Sequence, residues 1–270
     1  MITIFNKFIN KRNSKKLFDA CYIGNLNLVK YFVENGADIN KGDKNGKTPL
    51  FIAYENDHIN IAKYLVEHGA DINKSNNLGV TPLYIACEKG NITVIKYLVE
   101  HGADINKGNI NDTNPLHIAC FIGREDIVKY LVEHGADIKK EMCNGATPLY
   151  MACKKGDISI VKYLVEHGAD VDKEMIDGET PLLIACESKH FSIVKYLVEH
   201  GADINKTNNN GFTPLIMASF DGLENIVKYL VEHGADVNKG NITLNVTPIT
   251  AASLNNYTNV IKYLIEHGAK

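Results

Sequence analysis

Apolar positions along the chain fall into two alternating kinds of segment. One is a short run opened by Thr-Pro, such as TPLFIA from Thr48; the other is longer, such as INIAKYLVEH from Ile59. Thr48 offers an N-cap oxygen, and Pro49 fills the first helical position, where a missing N–H costs nothing. The spacing therefore predicts a helix from Pro49 to about Asn56. A turn around Asp57 leads to a second helix from Ile59 to His68, closed by Gly69 as a C′ residue able to take positive φ. Ile61, Ala62, Tyr64, Leu65 and Val66 cover more than one face of that second helix, which suits a helix held between neighbours on both sides. The following GADINKSNNLG reads as an extended arm and turn. Asn45-Gly46, Asn144-Gly145, Asp177-Gly178 and Asn210-Gly211 at the tips are dipeptides favoured by tight hairpins.

The whole pattern recurs. KYFVENGADINK from Lys30 returns as KYLVEHGADINK at Lys63 and Lys96, with small changes from Lys129, Lys162, Lys195 and Lys228, and as KYLIEHGAK from Lys262. The step is 33 residues, then 34 at the end. The helix openings keep time: TPLYIA from Thr81, NPLHIA from Asn114, TPLYMA from Thr147, TPLLIA from Thr180, TPLIMA from Thr213 and TPITAA from Thr247. Both markers slip together in the last copy, which places the extra residue between Asp236 and Thr247.

This period, the helix start written most fully as Pro115-Leu116-His117-Ile118-Ala119, and the GADIN arm resemble the ankyrin repeat. The resemblance covers 13–270 as eight copies, at about 13–45, 46–78, 79–111, 112–144, 145–177, 178–210, 211–244 and 245–270, and leaves 1–12 as an N-terminal cap segment. It implies an all-α solenoid with β-hairpin fingers, an ankyrin-repeat stack that is curved, with hairpins at right angles to the helix pairs and a concave groove. Each unit of such a stack contacts only its neighbours, and the end units need a polar outer face. At the N-terminus Lys7, Lys11, Arg12, Lys15 and Lys16 supply one, with Ile4, Phe5, Phe8 and Ile9 to cover the first helix pair. The last helix keeps Val260, Ile261, Leu264 and Ile265 with no arm after it, so a sticky C-terminal end or a following segment is expected. Asp112 and Asn245 replace the tip glycine, and Lys189 replaces the inter-helix glycine of Gly90, Gly123, Gly156 and Gly222. Those loops are expected to deviate locally.

Composition narrows the function. The chain of 270 residues has 29 Lys+Arg against 32 Asp+Glu, a formal charge of −3, and its only arginines are Arg12 and Arg124. Without a positive stripe or bidentate arginines, nucleic acid is a poor partner. No apolar run approaches a membrane span, and Met1 to Asn13 lacks the form of a secretory leader, so a cytoplasmic, monomeric protein is expected.

The periodic polar residues read as structure. His68, His101, His134, His167, His200, His233 and His267 recur once per copy. Helices packed about 8–10 Å apart would hold these rings side by side rather than converging on one metal ion. In the last helical turn they meet the negative end of the helix dipole instead. Cys21, Cys87, Cys120, Cys153 and Cys186 form a ladder of small packed residues, whereas Cys143 lies on a tip as an exposed thiol open to a regulatory role. The Lys-Tyr pairs recur just as strictly, with each Lys four residues before a Glu, as in Lys63 and Glu67. No nucleophile elbow, phosphate loop, metal-protease or dinucleotide motif is present, so neither catalysis nor a cofactor is expected.

Positions that differ between copies carry the functional information. They are the tips and the last turn of each first helix, the surfaces that the resemblance implies line the concave face. The helix ends read Tyr22-Ile23, Glu55-Asn56, Glu88-Lys89, Phe121-Ile122, Lys154-Lys155, Glu187-Ser188, Phe220-Asp221 and Leu254-Asn255. At the tips stand Leu78, Val80, Ile110, Phe212 and Val246. Of these, Leu78, Val80, Glu88, Lys89, Ile110, Phe121, Ile122, Lys154, Lys155, Phe212, Phe220, Asp221 and Leu254 are the candidate partner-binding residues, because exposed apolar groups rimmed by charge make a protein interface. The expected function is a non-catalytic scaffold or adaptor for a partner protein. The alternative is the targeting module of a larger enzyme, a kinase or ubiquitin-ligase adaptor whose catalytic part lies outside this chain. The resemblance also implies asparagine hydroxylation sites at Asn40, Asn73, Asn106, Asn205 and Asn238, a series that Lys139 and Asp172 interrupt.

Overall fold

A computed structural model describes residues 2–241 and 245–270, with side chains described over 13–241 and 245–270. The expected apolar cover from Ile4, Phe5, Phe8 and Ile9, and the extra residue of the last copy where it falls on 242–244, lie outside that set. The helices alternate as the repeat predicts: α1 Ile2–Ile23, α2 Leu26–Glu34, α3 Pro49–Glu55, α4 Ile59–Glu67, α5 Pro82–Glu88, α6 Ile92–Glu100, α7 Pro115–Ile122 and α8 Glu125–Glu133. The series continues with α9 Pro148–Lys155, α10 Ile158–Glu166, α11 Pro181–Glu187, α12 Phe191–Glu199, α13 Pro214–Phe220, α14 Glu224–Glu232, α15 Pro248–Leu254 and α16 Thr258–Glu266. α1 runs through position 12 without a break, so the cap segment and the first copy share one helix.

The chain divides into two compact units, Met1–Ala119 with Tyr130–Ala136, and Cys120–Lys129 with Asp137–Lys270. In the first, α1 packs on α2, α3 on α4 and α5 on α6, while α1, α3 and α5 stack in a row. The second repeats the scheme, with the odd-numbered α9 to α15 stacked in a row and the even-numbered α10 to α16 alongside.

Local chemistry explains each helix boundary. Thr48, Thr81, Thr147, Thr180, Thr213 and Thr247 accept a hydrogen bond from the backbone N–H three residues on, at 3.1–3.4 Å. At the other end of each pair the chain turns back through a left-handed glycine: in α4 the Ala70 N–H donates to Leu65 O at 2.9 Å while Gly69 sits at φ +88°. One leucine per second helix, from Leu65 and Leu98 through Leu131, Leu164, Leu197 and Leu230 to Leu264, is wholly buried. Such burial contributes roughly 2 kcal/mol each.

The arms form turns rather than strand pairs. Among the described residues the only bridge is the isolated one between Asn241 and Val246, so the expected β-hairpin fingers do not appear as strands. The reason is that side chains take the arm amides. Asn76 Oδ1 accepts from the N–H of both Leu78 and Val80, and the Asn77 N–H crosses to Asn45 O on the preceding arm at 2.9 Å. A single closing bond, Asn76 N–H to Val80 O, remains for a ladder.

The arm asparagines join successive copies. Asn40 Nδ2 donates to Gly69 O at 3.0 Å and its Oδ1 accepts from the Asp71 N–H at 2.7 Å, so one amide satisfies two groups left over at the end of the next helix. Asn73 does the same for Gly102 and Asp104, Asn205 for Gly234 and Asp236, and Asn238 for Gly268 and Lys270; Asn106 donates to Gly135 O. Asp172 accepts from the Asp203 N–H but has no proton to give Gly201 O. Lys139 has no acceptor for the Asp170 N–H, and beside it a cavity of about 200 Å³ opens between Ile138, Thr147, Ala169 and Asp170. Ion pairs tie the arms there, Lys173 to Glu141 at 2.9 Å and Lys206 to Glu174 at 2.8 Å.

The residues that replace glycine keep the backbone conformation that the glycines use. Asp112 at φ 56°, Lys189 at 65° and Asn245 at 51° take the same left-handed conformation as the glycines they replace, joined by Asp57 and Asn256. Space decides where this is allowed. A Cβ on Gly24 or Gly156 would run into the ring of His58 or His190 in the next copy, whereas Lys189 is followed at that place by Leu223.

Two outcomes follow for stability. Asp172→Asn restores the missing donor and raises the urea midpoint by the equivalent of about 1 kcal/mol, while Asn73→Asp lowers it by a similar amount. Lys189→Gly relieves a left-handed lysine at the loss of one exposed ion pair, a net gain of about 0.5 kcal/mol or more read by the same titration.

Candidate functional site

The first unit carries a cleft built by two successive repeats, the second and the third. Lys47, which precedes the cap Thr48, reaches both carboxylate oxygens of Glu55 at the end of α3, at 2.7 and 2.8 Å. The same ammonium stands 5.4 Å from the centre of the Phe51 ring. The tip residues Leu78 and Ile110 are 57% and 61% exposed. Together with Val80, Tyr84, Ile85 and Glu88 these groups border a cleft of about 480 Å³. Burial, and after it the Glu88 carboxylate, pushes the Tyr84 phenol above its ordinary range. Four sequence candidates, Leu78, Val80, Glu88 and Ile110, thus meet in one place. Lys89 does not join them, because Asp57 holds its ammonium at 2.8 Å.

In the second unit Phe121 and Phe220 are 45% and 49% exposed and Leu254 67%. Lys154 and Lys155 are exposed, while Ile122, Phe212 and Asp221 are half-buried. Asp221 is committed to Lys189 at 3.2 Å. Ile176, 72% exposed on an arm tip, belongs with this apolar set; it was missed in the sequence although it holds the same place in its copy as the candidate Ile110. Val246, beside the isolated bridge, is half-buried. Tyr22 and Ile23, both exposed at the end of α1, extend the first unit's apolar ends in the same way.

Lys47, Phe51, Glu55 and Tyr84 were the residues hardest to see as site builders. The signal that finds them is a spacing of eight between the residue before the cap and the end of the first helix. Applied to the sixth copy, it brings together Glu179 and Glu187, two carboxylates where the second copy has Lys47 and Glu55. Glu179 Oε1 accepts from Asn208 Nδ2 at 2.8 Å, while Oε2 is buried without a partner. Burial, then Glu187 and Asp177, raise its pKa above the ordinary carboxylate value.

The periodic side chains face elsewhere. Each of the seven ladder histidines caps its helix, with Nδ1 donating to the tyrosine carbonyl four residues back at 2.7–2.8 Å, and its ring lies 3.8–4.1 Å from that tyrosine's. The lysines do not chiefly serve the expected pairing with the Glu four residues on. Lys63 stands 5.3 Å over the Tyr97 ring of the next copy, and Lys30, Lys96, Lys162 and Lys228 repeat the contact. Lys129 does so as well, while its ammonium pairs with the preceding Glu125 at 2.6 Å. Lys195 and Lys262 approach the following Glu at 3.8 and 3.9 Å. Burial lifts the thiols of Cys21, Cys87, Cys120, Cys153 and Cys186, that of Cys21 to about 12, which leaves them protonated, whereas Cys143 is exposed.

Glu179 makes stability depend on pH in a stated direction. Its raised folded-state pKa means that the folded protein holds the proton more tightly than the unfolded chain, so stability falls as pH rises from the ordinary carboxylate value through the raised one. Glu179→Gln keeps the oxygen that Asn208 needs and removes the buried charge. It raises the neutral-pH melting midpoint, by about 1 kcal/mol in stability, and flattens the pH profile of melting in that window.

A family model for ankyrin repeats (3 copies) matches residues 17–109, 106–175, 170–241 and 206–270. No curated protein matches the chain. The matched stretches follow one another from 17 to 270 and agree with helix pairs capped by Thr-Pro, turned by glycine and bridged by arm amides: the chain belongs to the ankyrin-repeat family.

Proposed function

We propose that this chain is a non-catalytic scaffold, a monomer of the cytoplasm, that holds a segment of a partner protein against its arm tips and the ends of its first helices. Ankyrin repeats generally mediate protein–protein interaction and are generally non-catalytic. One observation carries the reading for this protein. At the positions where the copies differ, apolar side chains stay exposed although other copies hold polar residues there, Glu or Lys at the helix ends and chiefly Asn at the tips. Phe121, Phe220 and Leu254 stand out in this way in the second unit, and Leu78 and Ile110 in the first. Positions common to the copies already have structural employment, as the histidine and arm-asparagine bonds illustrate. Among the described residues no helix is long and apolar enough to cross a membrane. The buried thiols keep their protons, which agrees with a reducing compartment.

The test is capture of a partner from native lysate by the chain and by Phe121→Asp and Phe220→Asp. A central aromatic anchor is worth about 2 kcal/mol or more, so each variant loses at least roughly thirtyfold in capture. An exposed site leaves stability within about 0.5 kcal/mol, and the far-ultraviolet circular dichroism stays unchanged. Undiminished capture by both variants sinks the scaffold reading for this surface.

A further inference from the structure

We propose that the cleft of the first unit seats an arginine side chain from an apolar stretch of the partner, an assignment that rests on the scaffold reading above. The protein itself displays the arrangement. In the second copy Lys47, Phe51 and Glu55 form a set in which a cation stands over a ring and is held by a carboxylate, at 5.4 Å from the ring centre and 2.7 Å from Glu55 Oε1. Moving 33 residues on, the third copy has Val80, Tyr84 and Glu88 in the same places. The ring and the carboxylate are kept and the cation is gone.

Three features of the cleft decide what fills that seat. Its charge balance is the first: Lys47 and Glu55 neutralise one another, and among the described residues no cation pairs with Glu88, so the wall is left with one negative charge. Second, the wall beside Glu88 is an aromatic ring and branched apolar side chains, with Leu78 and Ile110 exposed to an incoming group and Tyr84 half-buried beside them. Third, Tyr84 and Glu88 lie four residues apart on α5 and border the same cleft, which places carboxylate and ring within reach of one ligand. An arginine meets all three conditions at once. Its aliphatic stem covers the apolar wall, its plane lies on the ring, and its fork of donors matches the carboxylate. Leu78 and Ile110, on two successive tips, then receive apolar neighbours of that arginine.

The probe is the capped pentapeptide Gly-Leu-Arg-Leu-Gly, titrated into the ¹⁵N-labelled full chain and followed by amide shifts, beside the same peptide with citrulline, the uncharged isostere of arginine. The arginine peptide is expected to shift the amides of Leu78, Tyr84, Glu88 and Ile110, and the citrulline peptide to bind at least tenfold more weakly. Glu88→Gln weakens the arginine peptide by a similar factor. Val80→Lys, which rebuilds the set of the second copy from within, closes the seat to the peptide while the remaining amide spectrum keeps its native dispersion. Equal binding of the two peptides, shifts centred away from the cleft, no shift at millimolar peptide, or unimpaired binding to Val80→Lys each overturns the assignment. If the peptide fails while Phe121→Asp and Phe220→Asp still lose the partner, the arginine seat falls and the scaffold reading stands. If capture also survives in those variants, both fall.

Discussion

The arm asparagine is the interaction on which the stack depends. Helix packing alone lets one pair slide on the next, because leucine against leucine is not directional. The amide of Asn40 fixes the register by giving a proton to Gly69 O and taking one from Asp71, two groups spaced by the helix end itself. An aspartate lacks the donating half of that exchange. Once arms are held at this spacing, the tip amides can reach across, as Asn77 does to Asn45, and the first helices line up with their last turns side by side. The candidate site is a by-product of that alignment.

On such a frame, chemistry is written by substitution at a few equivalent places. The residue before the cap, the residue three places after the cap and the residue at the helix end form one row, repeated in each copy. Lys47 with Glu55 closes the row on itself. Val80 leaves a carboxylate without its cation, Glu179 sets two carboxylates together, and Phe212 with Phe220 makes the row apolar. Side chains that hold the stack are meanwhile turned to other work, as where Lys63 covers Tyr97 and His101 stacks beneath the same ring.

Much of this was legible in the chain. Helix starts were fixed by Thr-Pro and helix ends by the glycine after the histidine, because both act through bonds within a few residues. The second-helix leucines were legible for the same reason, since period alone buries them. What could not be read was set by neighbours one repeat away. The arms look like hairpins in their dipeptides, yet Asn76 and its counterparts draw the amides into side-chain bonds and no strand forms. Lys189 looked disruptive, but the conformation it must take is the one the loop already has, and only a ring in the following copy would have forbidden it. Lys63 looked like the partner of Glu67 because a single helix was considered, whereas the nearer attraction is the tyrosine of the next. The cleft of the first unit was half visible: its tips stood out as exceptions, but Tyr84 was hidden because an aromatic at that place reads as packing.

The interruption at Lys139 and Asp172 bears on how the second unit comes apart. A linear array melts by the movement of boundaries between ordered and disordered copies, and the boundary rests where the coupling between neighbours is smallest. The copy spanning 145–177 is joined to the one before by an arm with no amide and to the one after by half a bridge. Beside the tip bonds from the Ile176 N–H to Asn144 O and the Asn209 N–H to Asp177 O, its arms are tied by ion pairs, Lys173 with Glu141 and Lys206 with Glu174, and these weaken with added salt while the amide bridges elsewhere do not. Ionic strength therefore bears on cooperativity along this unit: added salt weakens the borders of the copy at 145–177 before those joined by complete amide bridges.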